Sequence, residues 1–172
     1  MNRSAMKEEF AATMPATPGA RESAALQTIA LAGSVAALID LLFAFLFFGI
    51  GFGVAPMRVM QSIASGFFGA AAFDGGASSA AIGVLAHFFI LNVAASFYYL
   101  AARRMPWLTR HALVSGVLFG LAIYVVMTFV VVPLSAASHG HSPWTAVLGQ
   151  FAIHPLLGVA IALIVQRGAG RL

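Results

Sequence analysis

The chain contains no cysteine. Disulfides, thiol exchange of the CxxC kind and thiolate metal sites are therefore excluded, and any redox or metal chemistry must rest on His, Asp or Tyr. Charge is nearly as scarce, at 8% of 172 residues, where soluble domains carry roughly a quarter. Acids are the scarcer sign, five against nine Lys and Arg. Glu8, Glu9 and Glu22 stand near the start, which leaves Asp40 and Asp74 for the rest of the chain. A paired-carboxylate mechanism inside the membrane thus lacks its second acid, since Asp74 falls in a Gly turn. The phosphate-binding G-x-x-x-x-G-K-[ST], the nucleophile elbow G-x-S-x-G and the zinc-binding H-E-x-x-H are also missing.

What fills the chain instead is apolar: 61% of residues are hydrophobic and the mean hydropathy is +0.96. A spanning helix needs about 20 predominantly apolar residues. Four windows meet that requirement, Leu26 to Ile50, Ser79 to Ala101, Ala112 to Leu134 and Trp144 to Val165. The expected fold is all-α, an integral membrane bundle of four transmembrane helices over residues 23–172. Met1 to Glu22 mixes charge with Ala, Thr, Pro and Gly without an apolar period, so it reads as a disordered cytoplasmic tail. The first apolar run exceeds the roughly 7–15 residues of a cleaved signal core and reads as an uncleaved anchor.

Positive charge alternates along the chain. Arg3, Lys7 and Arg21 precede the first span, Arg58 alone lies in the first loop, and Arg103, Arg104 and Arg110 lie in the second. The third loop has none, and Arg167 and Arg171 follow the last span. Segments rich in Lys and Arg stay cytoplasmic, so both termini are expected inside. The net charge of +4 follows from these flanks, and no basic cluster elsewhere suggests nucleic acid as a partner. Tyr98, Tyr99, Trp107 and Trp144 read as headgroup anchors at the span ends, and Pro106 and Pro133 as helix ends.

The first outer loop opens with Pro56, which can start a helix at its first position. Met57, Met60 and Ile63 or Ala64 then share one face, while Arg58, Gln61, Ser62 and Ser65 fall largely on the other. This pattern suits a short interfacial helix. Asp74-Gly75-Gly76 forms the turn back into the membrane.

Polar residues within the spans carry the functional signal. At a 1.5 Å rise per residue, Asp40 lies about 13 Å below the outer end of its span, His87 about 10 Å, His154 about 15 Å and Tyr124 about 12 Å. One polar group per helix shares a layer. Each also lies on a stripe of small residues at helical spacing. The stripes are Gly33, Ala37, Asp40 and Ala44; Ser79, Gly83 and His87; Gly116, Gly120, Tyr124 and Thr128; and Gln150, His154, Gly158 and Ala162. Small stripes are where membrane helices approach one another, so the polar residues are expected to face inward, with Asn92 at a flank. The candidate site is Asp40, His87, Tyr124, Gln150 and His154.

His, Gln and Tyr side chains also serve purely as packing specifiers, worth about 1 kcal/mol each. A carboxyl group is different, because it costs about 2.5–3.5 kcal/mol to insert at a helix centre. Asp40 must be protonated, paired or wetted. Three functions compete. In the first, Asp40 and the histidines exchange protons in a non-enzymatic membrane protein, transporter-like or an accessory subunit, that acts as a homo-oligomer or with a partner membrane protein. In the second, His87 and His154 are the axial ligands of a haem in an electron carrier. In the third, Asp40, His87 and His154 hold a metal that His139 and His141 capture at the outer loop.

The order of His87, Tyr98 or Tyr99, Pro106, Gly116 with Gly120, Pro133, His154 and Arg167 resembles the YagU-like family of small bacterial inner-membrane proteins. The likeness spans roughly Gly83 to Arg167. It implies a bacterial inner-membrane location and marks the two helix-borne histidines as positions of interest. It implies no substrate, and it does not reach Asp40, because the first helix resembles that family less clearly.

Overall fold

The computed structural model describes residues 18–137 and 143–169. The tail through residue 17, His139 and His141 lie outside the described residues. Four helices are long and apolar enough to cross a membrane, and the protein is a multi-pass, all-α membrane bundle. The first, α1 (Pro18–Phe52), starts eight residues before the apolar window. Residues 18–22 are therefore helical rather than part of the tail: Pro18 takes a first helical position that tolerates proline, and after Gly19 come the good helix formers Ala20, Arg21 and Glu22. At 35 residues, α1 is about 52 Å long and extends well beyond a hydrocarbon layer of about 30 Å.

After α1 the chain forms α2 (Pro56–Phe68), a 3₁₀ segment (Gly69–Phe73) and α3 (Gly76–Arg104). The short loop helix is present with Pro56 at its start, as the sequence suggests. Its seating follows membrane rather than aqueous logic. Val59, Gln61, Ala64 and Ser65 are the buried residues, while Met57, Phe67 and Phe68 are exposed. Lipid is as apolar as these side chains, so small and polar residues form the protein-facing side. Gly83 of α3 makes this seating possible, since a Cβ there would overlap the Met60 carbonyl oxygen. Two further bonds fasten the connection: Gln61 Nε2 donates to the Gly76 carbonyl at 3.1 Å, and Arg58 donates to the Phe73 carbonyl at 3.3 Å.

A five-residue helix, α4 (Pro106–Arg110), leads into α5 (Ala112–Leu134). Within α5 the turn Met127–Val131 is π-helical, with the Val132 N–H reaching the Met127 carbonyl. In a regular helix the Pro133 ring would collide with the carbonyl four residues earlier. The widened turn stands directly before it. The last helix, α6 (Trp144–Ala169), contains Pro155 in its interior.

The helices α5 and α6 are antiparallel and touch backbone to backbone where Gly116 and Gly120 meet Gly158. A Cβ on Gly120 would overlap the His154 carbonyl, and one on Gly158 would overlap the Gly116 carbonyl. On its other side α6 packs against α1, with Gly149 beneath Phe47 and Gly168 beside Thr28. In turn α1 meets α3, where Gly33 lies against Asn92. The core between these helices is built largely from alanines such as Ala32, Ala36 and Ala95, closed by Leu157 and Ile161.

The paired tyrosines differ from the headgroup role that the sequence suggests. Tyr98 and Tyr99 are both 2% exposed. The Tyr98 hydroxyl is bonded to Ser115 Oγ at 2.8 Å and donates to the Leu108 carbonyl at 3.2 Å. Buried phenols usually find such a partner, and the chain reversal through α4 provides one for Tyr98, whereas the Tyr99 hydroxyl has none among the described residues. Trp107 and Trp144 do stand at the surface.

Candidate functional site

The rotation of α3 about its axis decides what lies inside. Leu85 and Phe89 are each 70% exposed on the lipid side, while His87 between them is 7% exposed. The same sorting operates in α1, where Leu38 and Leu42 face out and Ala37 and Leu41 face in. The stripes of small residues read from the sequence are the packed faces: Gly33, Ala37 and Ala44 are buried on α1, Gly83 on α3, and Gly158 and Ala162 on α6.

The layer also holds when measured from the observed helix ends. Asp40 lies 12 residues, about 18 Å, from Phe52; His87 lies 11 residues, about 17 Å, from Gly76; His154 and Tyr124 each lie 10 residues, about 15 Å, from Trp144 and Leu134. All four therefore share one level, roughly half-way through the spans.

Asp40 and His87 form an ion pair across the α1 and α3 contact, with Oδ2 and Nε2 3.5 Å apart and side-chain exposures of 17% and 9%. His87 Nε2 also donates to the Ala37 carbonyl at 3.2 Å. That carbonyl can only accept, so Nε2 carries the proton. The donor is aimed between Ala37 and Asp40, one helical turn apart on the same face. His154 is held differently. Its Nδ1 donates to the Gln150 carbonyl at 2.6 Å, which fixes the hydrogen on Nδ1 and leaves Nε2 as the base. His154 is also close enough to act electrostatically on the Asp40 carboxyl. Tyr124 meets the His154 ring edge-on at 5.3 Å and meets Phe151 in the same manner at 5.3 Å.

Asp40 and His87 are thus in contact, and His154 lies at the same level with Tyr124 against it. Gln150 enters through its backbone carbonyl. Asn92 is engaged within its own helix, donating to the Phe88 carbonyl at 2.8 Å, and packs against Gly33 at the contact of α1 and α3. Pro155 escaped the sequence reading, although its residue type was signal enough. It has no N–H to offer the carbonyl four residues back, that of Phe151. This frees an acceptor one turn from His154.

His154 presents Nε2 in the tautomer that a metal or haem ligand requires, whereas the Nε2 of His87 is already committed to Ala37 and Asp40. Among the described residues no three of His, Cys, Asp and Glu converge as a metal-ligand set. Comparisons with protein-family models, curated proteins and solved structures found no match.

Proposed function

We propose that this chain is a proton-responsive membrane protein, transporter-like or an accessory subunit, whose proton-exchange site is Asp40 with His87 and His154. The observation that carries the proposal is the 3.5 Å pairing of a carboxyl group with an imidazole in the middle of two spans. An Asp40 carboxylate beside a charged His87 and an Asp40 acid beside a neutral His87 contain the same number of protons. Both states are neutral overall. Removing one proton leaves a net negative charge in the bundle and adding one leaves a net positive charge. Each is costly away from water, so a single proton defines the resting state and its gain or loss is a discrete event. His154 on α6 acts electrostatically on Asp40, and Tyr124 on α5 packs against His154; the Nε2 of His154 is the base to which we assign the proton's onward step.

The bacterial inner membrane, cytoplasmic termini and kinship with the YagU-like family belong to the same proposal, supported by the charge alternation and by the spacing of His87, Gly116, Gly120 and His154. Reporters fused after Arg110 and at the C terminus are expected to read cytoplasmic, and one near His139 external. A cytoplasmic signal at His139 would reverse the orientation.

Infrared difference spectroscopy on a step from about pH 8 to about pH 5 tests the site directly, because histidine charge changes fall in that window. The expected spectrum contains a carboxyl band that is absent in Asp40→Asn and displaced in His87→Gln. Identical carboxyl bands in the parent and in Asp40→Asn would remove Asp40 from proton exchange.

A further inference from the structure

At the end of the bundle where α3 stops, a groove of about 300 Å³ opens between α3, α4 and α5, at the lower end of the ~300–1,000 Å³ range of ligand pockets. Tyr98, Ala101, Trp107, Leu108, Leu118 and Phe119 form its walls. The polar atoms at its base, the Tyr98 hydroxyl and Ser115 Oγ, are bonded to each other at 2.8 Å. A polar solute would therefore find little to hold. Trp107 and Leu118 remain 46% and 56% exposed, so the groove opens sideways, towards lipid.

Its rim is cationic. Arg103 and Arg104 form the last turn of α3, Arg110 ends α4, and all three are exposed. Among the described residues none of them makes an ion pair, and Glu22 near the start of α1 is the one carboxylate at this end. Gln166 donates to the Thr109 carbonyl at 2.7 Å, which fixes α4 against α6. An apolar groove open to lipid beside helix ends that carry exposed guanidinium groups matches one chemistry, an acyl chain joined to a phosphate.

We propose that this groove binds an anionic phospholipid, with one acyl chain along Trp107, Leu118 and Phe119 and the phosphate held by Arg104 and Arg110. Arg104 continues the groove side of α3 beyond Ala101, and Arg110 follows Leu108 by two residues. Guanidinium groups suit phosphate because their donors match it two at a time, and basic pockets between spans are established sites for anionic headgroups. This site is independent of the Asp40 layer.

Quenching of Trp107 by brominated acyl chains tests the proposal on the full chain in uncharged detergent, with Trp144→Phe so that only Trp107 emits. At about fivefold per arginine, brominated phosphatidylglycerol is expected to quench at roughly 25-fold lower concentration than brominated phosphatidylcholine. Arg104→Gln with Arg110→Gln should abolish that difference while leaving quenching by phosphatidylcholine unchanged, which shows the groove intact. Equal quenching by the two lipids, or a difference that survives the double substitution, would overturn the proposal. Displacement of the lipid by inorganic phosphate alone would overturn the acyl-chain part of it.

Discussion

Gly120→Ala is expected to lower the unfolding temperature of the detergent-solubilised protein by on the order of 10 °C, from a single added methyl group. The Cβ would overlap the His154 carbonyl and approach Pro155 Cα at 2.8 Å. Backbone cannot rotate away as a side chain can, so α5 and α6 must separate along their tightest contact. Overpacking costs about 1–3 kcal/mol or more, and the upper end applies where both neighbours are main chain. For a chain of this size, about 3 kcal/mol corresponds to roughly 6–12 °C. Gly51→Ala is the matched control, because nothing lies within 4 Å of its added Cβ, and a helical Gly→Ala change is neutral or stabilising by up to about 1 kcal/mol. The substitution also reaches the site, since the overlapped carbonyl belongs to His154 itself. Parent-like melting of Gly120→Ala beside Gly51→Ala would mean that the α5 and α6 contact is looser than the structure places it.

The two faces that meet there were legible in the sequence because spacing alone encodes them, although not that they meet each other. Glycines four residues apart share a face, and in lipid a glycine face has little use except close approach. The four spans were legible for a similar reason, since hydrocarbon thickness sets a minimum apolar run. Other features depend on which helix lies beside which. Depth counting put Asp40, His87, Tyr124 and His154 in one layer, but it could not show that α1 lies between α3 and α6 and so brings Asp40 to His87. The paired tyrosines look like headgroup anchors when only distance along α3 is considered. The burial of Tyr98 follows from the chain reversal through α4, which offers Ser115 and the Leu108 carbonyl; the buried Tyr99 hydroxyl has no such partner among the described residues. The beginning of α1 was missed because an apolar window marks only the part of a helix in hydrocarbon, and the turn from Pro18 lies beyond it. The inward face of α2 was open at the sequence level, because either face of an amphipathic helix can meet protein when the surroundings are lipid.

Asp40→Leu is expected to leave the bundle at least as stable as the parent while abolishing its response to pH. The stability follows from the bonding of His87, whose Nε2 already donates to the Ala37 carbonyl at 3.2 Å. Removing the carboxyl therefore does not leave that buried N–H without an acceptor, and a neutral imidazole remains satisfied. Replacing Asp by Leu also moves insertion from an unfavourable contribution of about 2.5–3.5 kcal/mol to a favourable one of about 0.3–0.6 kcal/mol. Burying an ion pair is often no better than burying an apolar group of similar volume, so the pair is not required to hold α1 against α3. Function is the opposite case, because leucine can neither carry nor accept the shared proton. Asp40→Asn keeps a polar group of the same shape beside His87 but cannot ionise, and it should fail in the same way. Thermal unfolding of both variants, set beside growth of cells across external pH, separates the two roles. Melting at or above the parent temperature with loss of the pH response assigns Asp40 to proton exchange. If Asp40→Leu grew like the parent at every pH, the carboxyl would be neither a relay nor a needed partner, and the mid-membrane layer would be a packing motif.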